Sequence, residues 1–148
     1  MLGGVLWQER DRATEQAAGM KPVTERQPSE AEYRDMVFAN KIVKHSRSNA
    51  IVLAKGRQLC ASGIGQTSRI DALRQAVDKA RAFGFSLDGA VMASDAFFPF
   101  ADSVTAAHEA GISAVVQPGG SVRDQESIDY CNKKGVAMVF TGVRHFKH

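Results

Sequence analysis

Hydrophobic positions recur with two different periods along this chain, and each change of period marks a new element. From Ser29 the spacing is helical, with Tyr33, Met36, Val37 and Val43 on one face. Ser29 and Glu32, three residues on, form a capping box that sets the helix start. After Asn49 the apolar run becomes continuous. Ala50-Ile51-Val52-Leu53-Ala54 reads as a buried strand, with Gln58-Leu59-Cys60-Ala61 as its hairpin partner across Lys55-Gly56-Arg57. Ser68 with Asp71 signals a second helix, whose stripe is Leu73, Ala76, Val77, Ala80 and Phe83 and whose stop is Gly84. Beyond it strands and helices alternate. Ala90–Ala93, Ala114–Val116 and Val136–Phe140 are strand-like, while Asp102–Ala110 and Gln125–Lys134 are helical and end at Gly111 and Gly135. This alternation predicts α/β crossovers with at least partly parallel pairing. The beginning differs. Gly3 to Gln8 reads as a short strand, and the polar stretch Glu9 to Gln27, with Gly19, Pro22 and then Pro28, as a long connector. The expected division is a strand and connector over 1–28 and an α/β unit over 29–148.

Composition narrows the class. A chain of 148 residues with 44% hydrophobic and 24% charged residues suits one folded domain and excludes disorder throughout. No apolar run approaches the roughly 18 residues needed to span a bilayer. The segment Met1-Leu2-Gly3-Gly4-Val5-Leu6-Trp7 lacks a basic region and a small-residue cleavage site, so no secretion signal is expected and the cytoplasm is the expected compartment. The net charge is +3 and no block of five like charges occurs, which argues against a nucleic-acid tail and suits a small anionic ligand. Cys60 and Cys131 lie far apart without a CxxC pair, as expected of plain buried thiols.

Candidate chemistry sits where strands lead into helices, because ligands of open α/β sheets gather at the carboxyl ends of strands. Gly63-Ile64-Gly65-Gln66-Thr67-Ser68-Arg69 offers glycines for close backbone approach and an arginine at a helix start. It is neither a GxGxxG motif nor a P-loop. Ala93-Ser94-Asp95-Ala96-Phe97-Phe98-Pro99-Phe100-Ala101-Asp102 places three phenylalanines between two aspartates. It suits a clamp for a flat heterocycle, or core rings followed by Asp102 as a helix cap. Gln117-Pro118-Gly119-Gly120-Ser121-Val122-Arg123-Asp124 suits a phosphate cradle, or a turn capped by Ser121 or Asp124. Thr141 to His148 carries Arg144, His145, Lys147 and His148 after a buried strand. The four histidines show no HExxH spacing, and the zinc-deaminase HxE with PCxxC pattern and the GxSxG elbow are missing.

In this order, Ser48-Asn49-Ala50-Ile51-Val52, Gly65 to Arg69, Ala93 to Phe100, Gln117 to Asp124 and Thr141 to His148 closely resemble the C-terminal part of the bifunctional purine-biosynthesis family of AICAR transformylase/IMP cyclohydrolase. Gly3-Gly4-Val5-Leu6-Trp7-Gln8 resembles that family's segment just upstream, so the resemblance spans essentially the whole chain. It implies a cytidine-deaminase-like α/β fold, a mixed sheet flanked by helices, without the zinc site. It also implies formyl transfer from 10-formyltetrahydrofolate, the cosubstrate, to AICAR ribonucleotide. By the same resemblance, Asn49, Arg69, Phe97 and Arg144 would bind the nucleotide, and Asp102 the pterin end of the folate. Asn49 and His148 would have catalytic roles, His148 by supporting a proton-transfer histidine. Potassium would lie near Ser46, Ser48 and Asp95.

The same resemblance places the family's catalytic Lys-His pair in an upstream unit that this chain lacks; Lys44-His45 is not that pair. Ile64 also stands where the family usually has a small residue. A homodimer, or a complex with a complementary transformylase half, is therefore expected, with no nucleic acid and no membrane as partners. The alternatives are a non-catalytic nucleotide- or folate-binding module or shortened paralogue and, more weakly, a cyclohydrolase by descent.

Overall fold

A computed structural model of the chain describes residues 19–142. The strand expected at Gly3–Gln8 lies outside these residues, as do Arg144 and His148. In chain order the elements are β1 (Lys21–Pro22), α1 (Glu30–Lys44), β2 (Ile51–Lys55), β3 (Gln58–Gly63), α2 (Arg69–Ala82), β4 (Val91–Ser94), α3 (Asp102–Glu109), β5 (Ala114–Gln117), α4 (Asp124–Lys134) and β6 (Ala137–Phe140). They build one six-stranded sheet in the order β1-β6-β5-β4-β2-β3. β4, β5 and β6 are parallel, while β2 runs antiparallel to both β3 and β4. It follows that β3, β4, β5 and β6 all point the same way. Each crossover among them steps in one direction across the sheet, so a common right hand puts α2, α3 and α4 on one face.

Alternation along the strands sorts side chains between two cores. Leu53, Met92, Val115 and Met138 pack with Leu73 and Val77 of α2, Val104 of α3 and Cys131 of α4. The other face presents Val52, Val91, Ala93, Ala114, Val116 and Ala137 to Met36, Val37 and Val43 of α1. The larger side chains face three helices and the smaller ones a single helix, which lets α1 lie close to the sheet. Cys60 and Cys131 are buried, unpaired thiols, and burial pushes Cys131 up to about 12.

The helix starts follow the sequence. Ser29 and Glu32 form the complete capping box, and the Ser68 hydroxyl accepts the Asp71 N–H. At the hairpin tip Gly56 and Arg57 both have φ of 60°, the demand of a tight primed turn. The buried Asp35 carboxylate accepts the N–H groups of Gly56 at 3.0 Å and Arg57 at 2.8 Å, fastening the turn to α1.

Expectations at three helix ends are corrected. Phe83 is 76% exposed, because it caps the end of α2 beyond the last turn that faces the core. Asp102 is not the cap of α3: Ala101 holds that position, and the Asp102 carboxylate accepts the Ser103 N–H inside the first turn. Nor does α4 start on a side-chain cap, for Arg123 holds that place; Ser121 accepts the Arg123 N–H and Asp124 the Gly120 N–H.

The stretch before Pro28 is no loose connector from Met20 onward. Lys21 and Pro22 pair with β6, the Val23 N–H reaches Met138 O, and Thr24 Oγ1 accepts the Met138 N–H. Arg26 then bonds Ser113 O and Glu32. Glu32 also accepts the Ser29 N–H at 2.8 Å and the Ser113 hydroxyl at 2.6 Å.

Burial alone would raise the Glu32 pKa, but the bonds from Ser113, Ser29 and Arg26 outweigh it and hold the group below its usual 4.5. A carboxylate depressed in the folded state adds stability above its unfolded pKa and loses it as pH falls through the folded value. Glu32→Gln is therefore expected to cost about 1–3 kcal/mol at pH 7, the worth of charged hydrogen bonds. Urea titrations should show the gap to wild type closing as pH falls below 4.5. A gap independent of pH would remove the carboxylate from the account.

Candidate functional site

The common direction of β3, β4, β5 and β6 brings their carboxyl ends to one edge of the sheet. The antiparallel β2 brings its amino end there too: Ile51 stands opposite both Gly63 and Ser94. Each of the five segments that carry the family resemblance, the last of them by its described residues Thr141 and Gly142, therefore leads to or from this edge.

Backbone bonds tie these loops together. Asn49 and Gln66 exchange N–H···O bonds of 3.2 and 3.3 Å, and the Gly65 N–H reaches Arg47 O. The Asp95 N–H reaches Ala50 O at 3.3 Å, and the Thr141 N–H reaches Gln117 O at 3.0 Å. The Ser48–Asn49 peptide is cis. Gly119, at φ +76°, lets the Phe140 ring lie against its backbone: a Cβ there would come within 2.6 Å of the ring. Gly63 serves the fold rather than a ligand. It makes room for the backbone of α2, and a Cβ there would fall 1.9 Å from Ala72 O.

The most buried ion pair among the described residues joins the segments after β3 and β4. Arg69 Nη2 lies 3.5 Å from Asp95 Oδ1, with side chains 12% and 0% exposed. A cation in the first turn opposes the helix dipole, so the helix does not account for Arg69, whereas a buried carboxylate does. Neither Asp95 oxygen has a hydrogen-bond partner among the described residues. Such a carboxylate fits the potassium expected here. The Ser46 hydroxyl, just past the end of α1, donates to Ile42 O at 2.8 Å and keeps its lone pairs. Among the described residues no group of three His, Cys, Asp or Glu is placed to hold a metal ion.

The aromatic loop after β4 divides its rings. Phe98 is fully buried in the three-helix core, whereas Phe97 is half-buried and Phe100 about half exposed. The Arg123 guanidinium lies over the Phe100 ring, 5.1 Å from its centroid, joining the loops after β4 and β5. Asp102 is exposed at the head of α3. Of the residues singled out from sequence, Asn49, Arg69, Asp95 and Phe97 are thus brought together, and Asp102 stands on the same edge. Sequence reasoning gave Gln117 no role of its own. It is 1% exposed, and its Oε1 accepts the Phe98 N–H. The available signal was a polar residue ending the apolar run Ala114-Val115-Val116.

These layers and this strand order define a cytidine-deaminase-like α/β fold. A solved dCMP deaminase from the cyanophage S-TIM5 shares it with a TM-score of 0.52 and 18% identity, over 76% of this chain and 98% of that one. Residues 1–79 match the AICARFT/IMPCHase bienzyme family model, and the chain belongs to that family. The bifunctional purine biosynthesis protein PurH of Bacteroides thetaiotaomicron is 62% identical over 148 residues, and that of Aquifex aeolicus 53% over 146. The matches take in 100% and 99% of this chain but only 29% and 28% of those relatives. The chain thus spans less than a third of the length of the curated relatives it matches. Among the described residues no helix is long and apolar enough to cross a membrane.

Proposed function

We propose that the chain is a deaminase-like unit of the family's transformylase part, the C-terminal part in the resemblance, and supplies one wall of a formyl-transfer site in purine biosynthesis. The nucleotide would be AICAR ribonucleotide and the donor 10-formyltetrahydrofolate. The observation that carries this reading is the meeting of the described residues of the five resembling segments at one sheet edge, around the buried Arg69–Asp95 pair.

In this reading Asn49 and Arg69 bind the polar face of the nucleotide. Phe97, held by its loop, takes the aminoimidazole, and Asp102 meets the pterin. Arg144 reaches the nucleotide, and His148 supports proton transfer by a histidine of the complementary half. A weakly nucleophilic aromatic amine needs placement against the formyl carbon and a route for its proton. This wall contributes the placement. Asp95, with Ser46 and Ser48, would hold potassium, which supplies fixed positive charge. The partner would be a second copy or a complementary half carrying the Lys-His pair.

The test is formyl transfer by the purified chain, alone and mixed with the remainder of a full-length relative. Tetrahydrofolate release and IMP formation are followed separately. Transfer that appears only with the complementary half supports the reading. Transfer by the chain alone would remove the need for that half. Ring closure of formylated AICAR ribonucleotide without formyl transfer would assign the chain to the cyclohydrolase activity. Nucleotide binding with neither reaction would leave a binding module.

A further inference from the structure

The loop between β4 and α3 carries Phe97, and its path is fixed by a residue outside it. The Ser94 hydroxyl bonds Ala96 O at 2.7 Å at the loop's start. Two residues further on, the Phe98 N–H is taken by Gln117 Oε1 at 3.3 Å, across to the end of β5. Gln117 also accepts the Thr141 N–H with its own carbonyl, at the end of β6. One buried residue therefore joins the ends of three parallel strands, its side chain reaching the segment after β4 and its backbone carbonyl the end of β6.

The carboxamide is oriented by its second neighbour. Its Nε2 lies 3.2 Å from Met138 Sδ, a weak acceptor. The flipped amide would set an NH₂ group against the Phe98 N–H, donor against donor, and leave its oxygen on sulfur. Only one orientation satisfies the Phe98 N–H. Burying a glutamine on the face of Val115, Phe98 and Met138 is unfavourable without such a partner, and core packing alone would be served as well by methionine.

We propose that Gln117 is a positioning residue: by holding the Phe98 N–H it sets the backbone that carries Phe97 to the ligand. The inference rests on the proposed role of Phe97 in nucleotide binding. It is read in two ways, only one of which depends on that role. Gln117→Met keeps length and apolar packing but removes the acceptor, whereas Gln117→Glu keeps an acceptor oxygen at the same reach. In the full chain, amide hydrogen exchange at Phe98 should quicken about tenfold in Gln117→Met, the scale of one lost hydrogen bond, while Val115 and Val116 hold their rates. Affinity for AICAR ribonucleotide, measured by titration calorimetry, should fall by about tenfold in the same variant. Gln117→Glu should recover both.

Unchanged exchange at Phe98 would overturn the proposal. So would faster exchange with unaltered affinity, since the loop would then be released without consequence for the ligand. A wild-type chain that binds no AICAR ribonucleotide would defeat the functional reading instead, and Phe98 exchange would still decide whether Gln117 holds the loop. If Gln117→Met quickens Val115 and Val116 as well, Gln117→Asn, which cannot reach the Phe98 N–H, carries the same comparison.

Discussion

Replacing Gly63 with alanine is expected to be the most damaging single methyl addition in the described residues. The new Cβ would lie 1.9 Å from Ala72 O, 2.7 Å from its carbonyl carbon and 2.8 Å from its Cα. All three are backbone atoms, so no rotamer change relieves the contact. Ala72 is fully buried in the first turn of α2, and β3 is the strand beneath it. Relief requires α2 to lift off the sheet, opening a gap in a core packed at crystal-like density. Overpacking a core ordinarily costs about 1–3 kcal/mol, and a rigid backbone obstacle puts this case at or above the upper end. Against a total stability of about 5–15 kcal/mol that is a large fraction.

Gly120→Ala is the control. Gly120 has φ +106° but nothing within 4 Å of the new methyl, so only conformational strain of about 1–2 kcal/mol applies. Urea midpoints for the two variants test the argument. A Gly63→Ala midpoint no lower than that of Gly120→Ala would mean that α2 does not press on β3 as described.

Arg69→Met is the second large effect. It removes the cation 3.5 Å from a carboxylate that is 0% exposed. Breaking a buried pair from one side typically costs about 3–5 kcal/mol, because a buried charge is left uncompensated by the group it faced. The pair itself is worth far less than that, since both groups were desolvated to form it. The double variant Arg69→Met with Asp95→Asn is therefore expected to recover most of the lost stability. A thermodynamic cycle over the two singles and the double reads the coupling directly. Additive losses would show that the two groups are screened from each other and that Asp95 is balanced by another charge. Binding should separate from stability in this series. The double variant folds but lacks the guanidinium, so on the proposed function it binds AICAR ribonucleotide weakly.

The helix starts were legible because capping is local. Ser29 with Glu32 and Ser68 with Asp71 satisfy their own helix ends within one turn, whatever surrounds them. The hairpin at Gly56-Arg57 was legible for the same reason. Phe83 misled because a periodic stripe says nothing about where a helix leaves its support. The segment from Met20 to Pro28 misled because its polar residues bond to partners about a hundred positions away, Thr24 to Met138 and Glu25 to Asn132 among them. The glycines before Arg69 suggested ligand approach, but at Gly63 the approaching group is a helix.

By itself, the sequence determined the alternation of elements, the helix caps, the hairpin turn and the order of the five segments that carry the family resemblance. These depend on contacts within a few residues, or on the period of apolar side chains, and both are written along the chain. Only the tertiary structure decided that β2 runs against β4, that Arg69 faces Asp95, and that Gln117 holds the loop bearing Phe97. Those pairings join residues 19 or more positions apart. Their partners are chosen by which strands lie side by side, and that choice belongs to the packing of the whole sheet.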